Sequence, residues 1–302
     1  MFGTFDLKIG FRCNNDCRHC VVADKRCTKD LSLDEILSIV DTIPNNYAVQ
    51  LTGGEPTIYP FLPEILYACK CKGLFTIVQT NGTGFSNIDF LKDCSPNLDQ
   101  VHIAIHSCVP EIHDNIVRSK GMWDKTIKGL DNLISEKVYF TTQTVLSNYN
   151  IESLYDTFCF IQDKKPGTMM SMTYPHLMGN AYRYKEDIAF RYSDHRDAIQ
   201  KTLERFHDVV FTEAIPYCYL HPYVEDVVSQ EKDLITPEFS RIGIDKSDGD
   251  NCKDYNGLNI QDHRKAPRCK ECIYNQYCIG VWKEYIELFK NRLDLYPITE
   301  GS

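Results

Sequence analysis

Three cysteines near the start of the chain are the feature that most constrains its fold and chemistry. Cys13, Cys17 and Cys20 form a C-x3-C-x2-C run directly after an apolar segment, residues 5–11, that is predicted to be a β-strand. Three soft thiolates on one short loop can bind a metal ion or an iron–sulfur cluster. A four-iron cluster with three cysteine ligands leaves one iron without a protein ligand, so that iron can bind a small molecule through nitrogen and oxygen.

Zinc is the alternative occupant of this loop. Structural zinc sites commonly combine a C-x2-C pair with a second pair of cysteines or with histidines at a set distance. Here the histidine, His19, lies inside the loop, and the nearest cysteine outside it is Cys27. The spacing therefore favours an iron–sulfur site and leaves zinc as the second interpretation.

A second motif, Gly53-Gly54-Glu55-Pro56, follows another predicted strand, residues 47–52. Two glycines at a strand end permit a positive φ and a close approach of the backbone, and the proline ends the turn. On its own, this sequence is also typical of an ordinary turn between a strand and a helix.

Together the two motifs resemble the signature of the radical S-adenosylmethionine (radical SAM) enzymes, C-x3-C-x-aromatic-C followed by Gly-Gly-Glu-Pro. His19 stands where most members carry Tyr, Phe or Trp, and an imidazole face can also pack against the adenine of SAM. The resemblance implies that the three cysteines hold a [4Fe–4S] cluster that binds SAM. It also implies cofactor contacts from the following residues: His19, Gly53, Gly54, Glu55, Asn81 and Ser107.

The rest of the chain alternates predicted strands with amphipathic helices, which favours parallel βα units. Ser32 and Glu35 have the spacing of a capping box and are predicted to begin the first helix. Six such units resemble the open, TIM-like (β/α)6 partial barrel of the radical SAM family, an α/β fold. Polar residues at strand ends are then site candidates, although Asn81 before Gly82 also fits a turn. The predicted strands span residues 5–11, 47–52, 74–78, 98–105, 138–146 and 169–174.

No side chain is assigned a catalytic role, because the resemblance implies that a SAM-derived radical abstracts the substrate hydrogen. His113 lies in an Ile-His-Asp stretch that resembles a helix start of the family, and it is interpreted as structural. Alternation alone does not decide whether Gln143 or Thr144 faces the cavity. The other histidines considered are His102, His106 and His176.

Four cysteines nearer the C-terminus form a second ligand pattern. Cys269, Cys272 and Cys278 are spaced C-x2-C-x5-C ahead of an apolar helix, and Cys218 follows a possible strand. The pattern is similar to the auxiliary-cluster domains called SPASM or Twitch, which implies a second [4Fe–4S] cluster on four thiolates. A full SPASM domain carries more cysteines, so the shorter, Twitch-like form is expected. Cys252 is a spare or alternative ligand, and a structural zinc site stays open here.

Composition limits the class and the compartment. The net charge of −9 argues against a nucleic-acid-binding surface, and no apolar run is long enough to span a membrane. Fourteen cysteines without an apparent export signal favour the reducing cytoplasm. The predicted domains are a radical SAM barrel, residues 1–205, and an auxiliary-cluster domain, residues 206–302.

The leading hypothesis is an oxidoreductase that oxidises or cross-links a ribosomally made peptide, because auxiliary domains are frequent among such maturases. The chain begins at its first strand, so a separate peptide-recognition protein or direct binding at the barrel mouth is expected. A reductant such as flavodoxin or ferredoxin would supply electrons. The alternatives are a small-molecule dehydrogenase or cofactor-biosynthesis enzyme, and a non-catalytic zinc-bound scaffold.

Overall fold

The computed structural model of the chain describes residues 3–229, 240–244, 252–254 and 262–300. Strands and helices alternate from the N-terminus, as the apolar periodicity predicts. The strands are β1 (Gly3–Gly10), β2 (Tyr47–Gly53), β3 (Phe75–Thr80), β4 (Gln100–Ala104), β5 (Phe140–Val145), β6 (Met170–Thr173), β7 (Val210–Glu213), β8 (Val228–Ser229), β9 (Ser240–Ile244), β10 (Cys252–Asp254), β11 (His263–Arg264) and β12 (Val281–Trp282).

Among the described residues, ten strands form one sheet in the order β10-β9-β1-β2-β3-β4-β5-β6-β7-β8. All neighbours pair in parallel except β10, which is antiparallel to β9. Six helical crossovers connect β1 to β7 in order, and the sheet does not close on itself. The prediction of an α/β fold with a partial (β/α)6 barrel is confirmed.

The helices cover the outer face of the sheet. The predicted capping box is present, because the Ser32 hydroxyl accepts the Glu35 N–H and the Glu35 carboxylate accepts the Ser32 N–H at 2.8 Å. None of the helices in the described ranges has the length and apolar character needed to cross a membrane. The helices are α1 (Leu33–Thr42), α2 (Leu62–Cys71), α3 (Ile88–Cys94), α4 (Pro110–Val117), α5 (Met122–Ser135), α6 (Leu154–Lys164), α7 (Asn180–Arg183), α8 (Lys185–Ile188), α9 (Arg196–Phe206), α10 (Tyr217–Leu220) and α11 (Lys283–Phe289).

Alternation along the strands separates the apolar core from a polar interior. On β1, Leu7 and Ile9 are fully buried among the apolar core residues, whereas Asp6 and Lys8 line the barrel cavity. Strand β1 therefore contributes its apolar face to the core and its polar face to the cavity.

The C-terminal part of the chain joins the barrel sheet. Strands β7 and β8 extend one edge of the sheet, and β9 and β10 extend the other edge beside β1. The predicted domain border at residue 205 falls at the end of α9. Trp282 is buried against the barrel, and its indole N–H donates to the carbonyl of Tyr174 at 3.3 Å.

We expect Gly53→Ala to destabilise the protein more than Gly73→Ala does. Both glycines have positive φ, 125° and 75° respectively. A Cβ at Gly53 would lie 2.1 Å from the carbonyl oxygen of Gly10, whereas a Cβ at Gly73 meets nothing within 4 Å. Urea denaturation should show losses in the free energy of unfolding of about 3 and about 1 kcal/mol respectively. Equal losses would show that the clash at Gly53 is relieved without cost.

Candidate active site

The three N-terminal cysteines lie on the loop that follows β1, and all three face one cavity. This cavity has a volume of about 420 Å³, within the range of small-molecule sites. Cys13, Cys17 and Cys20 are each partly buried in its wall. The turn after β2, from Gly53 to Glu55, lines the same cavity. The two motifs that are forty residues apart in sequence thus meet at the carboxyl ends of adjacent strands.

Backbone hydrogen bonds from distant elements fix the shape of the cysteine loop. The N–H groups of Asp16 and Arg18 donate to carbonyls at the end of α4, at 3.0 and 2.9 Å. Asn180, at the start of α7, donates its N–H to the carbonyl of Cys20 at 2.9 Å and its Nδ2 to that of Cys17 at 3.0 Å. The sulfur atoms are therefore placed by elements that follow much later in the chain.

Burial makes the free thiolates of Cys13 and Cys17 unfavourable. It raises the pKa of Cys13 to about 11, and burial together with the neighbouring thiols raises the pKa of Cys17 well above its usual value. A positively charged group bound between the sulfur atoms would reverse this effect. Among the described residues, no group of three or more Cys, His, Asp or Glu side chains is arranged to hold a single metal ion.

Two side chains with buried N–H groups support the fit of a sulfur-rich cluster. Asn15 is 2% exposed and lines the cavity, and neither atom of its amide has a hydrogen-bond partner among the described residues. The Nη2 of Arg26 is likewise buried and unpartnered, while its Nη1 lies 2.8 Å from the carboxylate of Asp16. An unpartnered buried polar group costs about 1–3 kcal/mol, so a bound acceptor is expected here.

The glycines of the second motif allow the ends of β1 and β2 to meet. The N–H of Gly54 donates to the carbonyl of Gly10 at 2.8 Å, and that of Glu55 donates to the carbonyl of Arg12 at 2.9 Å. A Cβ at Gly54 would lie 2.0 Å from the carbonyl oxygen of Arg12. Packing within the protein therefore requires these glycines, and the predicted SAM contacts of Gly53, Gly54 and Glu55 stay predictions.

Glu55 ties the turn to the end of β3. Its carboxylate is 1% exposed and accepts hydrogen bonds from the N–H and hydroxyl of Thr57 at 3.0 and 2.6 Å. It also accepts the Thr80 hydroxyl at 2.5 Å and the Asn81 N–H at 2.6 Å. Burial raises the pKa of Glu55 despite these hydrogen bonds.

Asn81 joins β3 to the cysteine loop. Its Nδ2 donates to the side-chain oxygen of Asn14 at 2.8 Å, and its Oδ1 accepts the N–H of Thr83 at 3.0 Å. The second bond is the local turn contact that the sequence offered as an alternative role. Asn81 also lines the cavity, so a cofactor contact stays a prediction.

Ser107 is placed away from the cavity wall formed by the described residues. It is fully buried, with its hydroxyl 3.2 Å from that of Ser153 and accepting the N–H of Val109 at 3.0 Å. This placement does not favour the cofactor contact that the resemblance implies for Ser107.

Three histidines form a contact chain in the cavity wall. The His19 ring lies 4.5 Å from that of His106, which lies 5.6 Å from that of His113. The Nδ1 of His113 accepts the N–H of His106 at 3.3 Å. Burial lowers the pKa of His19 and of His113 to about 4, and that of His106 well below its usual value. All three rings are thus neutral near pH 7.

A row of polar side chains crosses the interior of the barrel. Gln50 donates to the carboxylate of Asp6 at 2.9 Å and to the amide oxygen of Gln79 at 3.3 Å, and Gln79 donates to Gln143 at 3.1 Å. Gln143 faces the cavity, whereas the Thr144 hydroxyl donates to a backbone carbonyl on the other side. The row joins β1, β2, β3 and β5 into one hydrogen-bonding wall.

Comparison with known proteins identifies the family. The sequence profile of the radical SAM superfamily matches residues 7–208. The chain belongs to the radical SAM superfamily. Enzymes of this family use a [4Fe–4S] cluster and SAM, which agrees with three cysteines on one cavity.

The relatives of this radical SAM enzyme have different roles. The chain is 24% identical over 198 residues to the Fe-coproporphyrin III synthase of Methanosarcina barkeri, covering 64% of this chain and 49% of that one. It is 27% identical over 169 residues to the subtilosin biosynthesis protein AlbA of Bacillus subtilis, and the match covers 54% of this chain and 37% of that protein. The chain thus spans about half or less of these relatives.

A solved structure shows the same fold over nearly the whole chain. It is Streptococcus suis SuiB bound to its precursor peptide SuiA, with a TM-score of 0.65 and 14% identity. The match covers 97% of this chain and 74% of that one. At this identity the likeness concerns the fold alone.

The cavity wall also contains His176, which is paired with Glu284 from the C-terminal part of the chain. The His176 ring lies parallel to the Trp282 indole, with ring centroids 4.0 Å apart, and both residues line the cavity. The Nε2 of His176 lies 3.4 Å from the carboxylate of Glu284. Burial lowers the pKa of His176 although Glu284 and Asp262 act in the opposite direction. A neutral imidazole held in this way can accept a proton. No sequence pattern indicated this pairing, because the two residues are far apart along the chain.

The four C-terminal cysteines also converge. Cys218, Cys269, Cys272 and Cys278 line one small pocket, about 20 Å³ in volume. Burial, followed by the charges of the other three thiols, raises the pKa of Cys218 to about 12. The side chain of Cys252, the predicted spare ligand, lies outside the described residues.

We expect acidification to destabilise the enzyme through His113. The folded chain binds a proton on His113 with a pKa of about 4, whereas the unfolded chain binds it near the ordinary value of 6.5. The neutral ring therefore contributes its full stability above pH 6.5, and this contribution falls as the pH decreases toward 4. The loss at pH 5.5 should be about 1 kcal/mol.

Urea denaturation at pH 7.5 and pH 5.5 measures this loss. Between pH 7.5 and pH 5.5, the free energy of unfolding should decrease less in His113→Gln than in the parent. The control is His207→Gln, because the side chain of His207 is 33% exposed, and its free energy of unfolding should decrease as much as that of the parent. An unchanged decrease in His113→Gln would assign the pH dependence to other groups.

Proposed function

We propose that this radical SAM enzyme is an oxidoreductase that abstracts a hydrogen atom from its substrate. The cluster on Cys13, Cys17 and Cys20, with SAM, would supply the 5′-deoxyadenosyl radical. The residues of the chain would hold the cluster, orient SAM and keep water from the radical. Support comes from the convergence of the three sulfur atoms and the Gly53–Glu55 turn on one cavity.

The four C-terminal cysteines are proposed to hold a second [4Fe–4S] cluster in a Twitch-like arrangement. Their shared pocket supports this assignment, and so does the backbone N–H of Ile298, which lies 3.4 Å from the sulfur of Cys272. Hydrogen bonds of this kind tune iron–sulfur clusters. A second cluster could accept an electron from the substrate radical, so that the net reaction is an oxidation. Structural zinc is the alternative for this pocket.

A peptide is the proposed substrate. The similar proteins include a bacteriocin biosynthesis protein and an enzyme whose structure was solved with its precursor peptide. The amide row of Gln50, Gln79 and Gln143 supports the same proposal, because amide side chains can pair with peptide groups. A separate recognition protein and a flavodoxin- or ferredoxin-type reductant are proposed as partners.

A small-molecule substrate is the second candidate. The similarity to a coproporphyrin-converting synthase favours it, and so does the size of the cavity. With either substrate, His176 would accept the proton released during oxidation, and Glu284, 3.4 Å from its Nε2, would stabilise the charged ring.

Iron analysis after anaerobic reconstitution tests the first cluster. The parent should bind about eight iron atoms, and the triple variant Cys13/Cys17/Cys20→Ala about four, because one of two four-iron clusters is lost. The variant should also form no 5′-deoxyadenosine from SAM and dithionite. A matched triple variant, Cys27/Cys71/Cys159→Ala, should retain the iron and the SAM cleavage. Equal iron in both triple variants would contradict the assignment.

The second cluster is tested with Cys269/Cys272/Cys278→Ala. This variant should still form 5′-deoxyadenosine but should not yield the oxidised product. The substrates to be tried are the short peptides encoded beside the gene, with the loss of two hydrogen atoms measured by mass spectrometry. Turnover of a metabolite without any change in these peptides would favour the small-molecule alternative, and zinc in place of iron would exclude the second cluster.

A further inference from the structure

The unpartnered donors beside the cysteine loop come from two different segments. Asn15 lies between the first two cysteines, and Arg26 lies six residues after the third. Both line the cavity that the three sulfur atoms face. The Nδ2 of Asn15 and the Nη2 of Arg26 are each buried without a protein acceptor among the described residues.

The surrounding contacts bring the backbone of Asn15 and the side chain of Arg26 close to sulfur. The backbone N–H of Asn15 donates to the Sγ of Cys13 at 3.4 Å. The Arg26 guanidinium interacts with the thiol of Cys20, and Asp16 holds its Nη1 at 2.8 Å. Asp16 thereby orients the guanidinium and leaves Nη2 without a protein partner. The two donors therefore lie at different cysteines of the loop.

We propose that Asn15 and Arg26 donate hydrogen bonds to sulfur atoms of the cluster on this loop and raise its reduction potential. This inference rests on the first cluster of the proposed function. One-electron reduction gives the cluster one more negative charge, so a donor or a cation beside it stabilises the reduced form more than the oxidised form. Hydrogen bonds to the sulfur atoms are among the factors that set iron–sulfur potentials.

The charge environment explains why the site needs such donors. The chain carries a net charge of −9, and the carboxylate of Glu55 lies in the same cavity wall and acts on Cys13. Both disfavour the additional negative charge of the reduced cluster. The Arg26 cation is partly offset by Asp16, so the neutral Asn15 amide adds a donor without adding charge. Asn15 and Arg26 would together make the cluster easier to reduce.

A redox titration followed by EPR of the anaerobically reconstituted full chain tests this proposal. The cluster on Cys13, Cys17 and Cys20 is recognised by the change that SAM causes in its EPR signal. Asn15→Leu removes the amide at similar volume, and Arg26→Gln removes the cation. Each should lower the equilibrium constant for reduction about tenfold, which is about 59 mV for a one-electron couple.

The matched control is Arg12→Gln. It makes the same charge change next to the loop, but the Arg12 side chain is 61% exposed and paired with Asp30. Its midpoint potential should therefore stay near that of the parent. Arg26→Lys keeps the charge but lacks the planar guanidinium. A midpoint potential between those of the parent and Arg26→Gln would show that the charge and the guanidinium hydrogen bond each contribute.

A spectroscopic readout keeps the test independent of turnover. Electron–nuclear double resonance of the reduced cluster in D₂O should show exchangeable deuterons near the cluster, and their signal should weaken in Asn15→Leu and Arg26→Gln. Parental potentials together with parental deuteron signals in both variants would overturn the inference. If the parent bound no iron, both the proposed function and this inference would be overturned. If both variants cleaved SAM and their clusters had the midpoint potential and the deuteron signals of the parent, only this inference would be overturned.

Discussion

The backbone contact between the ends of β1 and β2 is the constraint on which the site depends. Because Gly53 and Gly54 lack a side chain, the turn after β2 closes onto the carbonyls of Gly10 and Arg12. This contact places the first cysteine of the loop beside Glu55, whose carboxylate in turn fixes the end of β3. Three strand ends are thus held together by hydrogen bonds within the protein, and the cavity forms beside them.

The electrostatic character of the cavity follows from burial. The thiols of Cys13 and Cys17 in its wall favour their neutral form, and the imidazoles of His19, His106 and His113 also remain uncharged near neutral pH. The charge of a bound cofactor would therefore meet neutral imidazoles and the neutral thiols of Cys13 and Cys17 in this part of the wall. Arg26 adds a permanent cation to this wall, and it lies beside Cys20.

Local patterns allowed much of this architecture to be predicted. The capping box at Ser32, the six βα units and the cysteine spacings depend on residues close in sequence, so periodicity and spacing were sufficient. The contact of His176 with Trp282 joins residues 106 positions apart, and the anchoring of Cys20 by Asn180 joins residues 160 positions apart. The position of Ser107 was not predictable either, because a strand end specifies a location and not the direction of a hydroxyl group.

The pairing of β9 with β1 affects more than the shape of the sheet. In a barrel cut after α9, the N–H and C=O groups along one side of β1 would lose the partners that residues 240–244 provide. An uncovered parallel edge of eight residues is a template onto which another chain can add a strand. The C-terminal part therefore protects the barrel against self-association, and an isolated N-terminal fragment would tend to aggregate even with its cysteine loop intact.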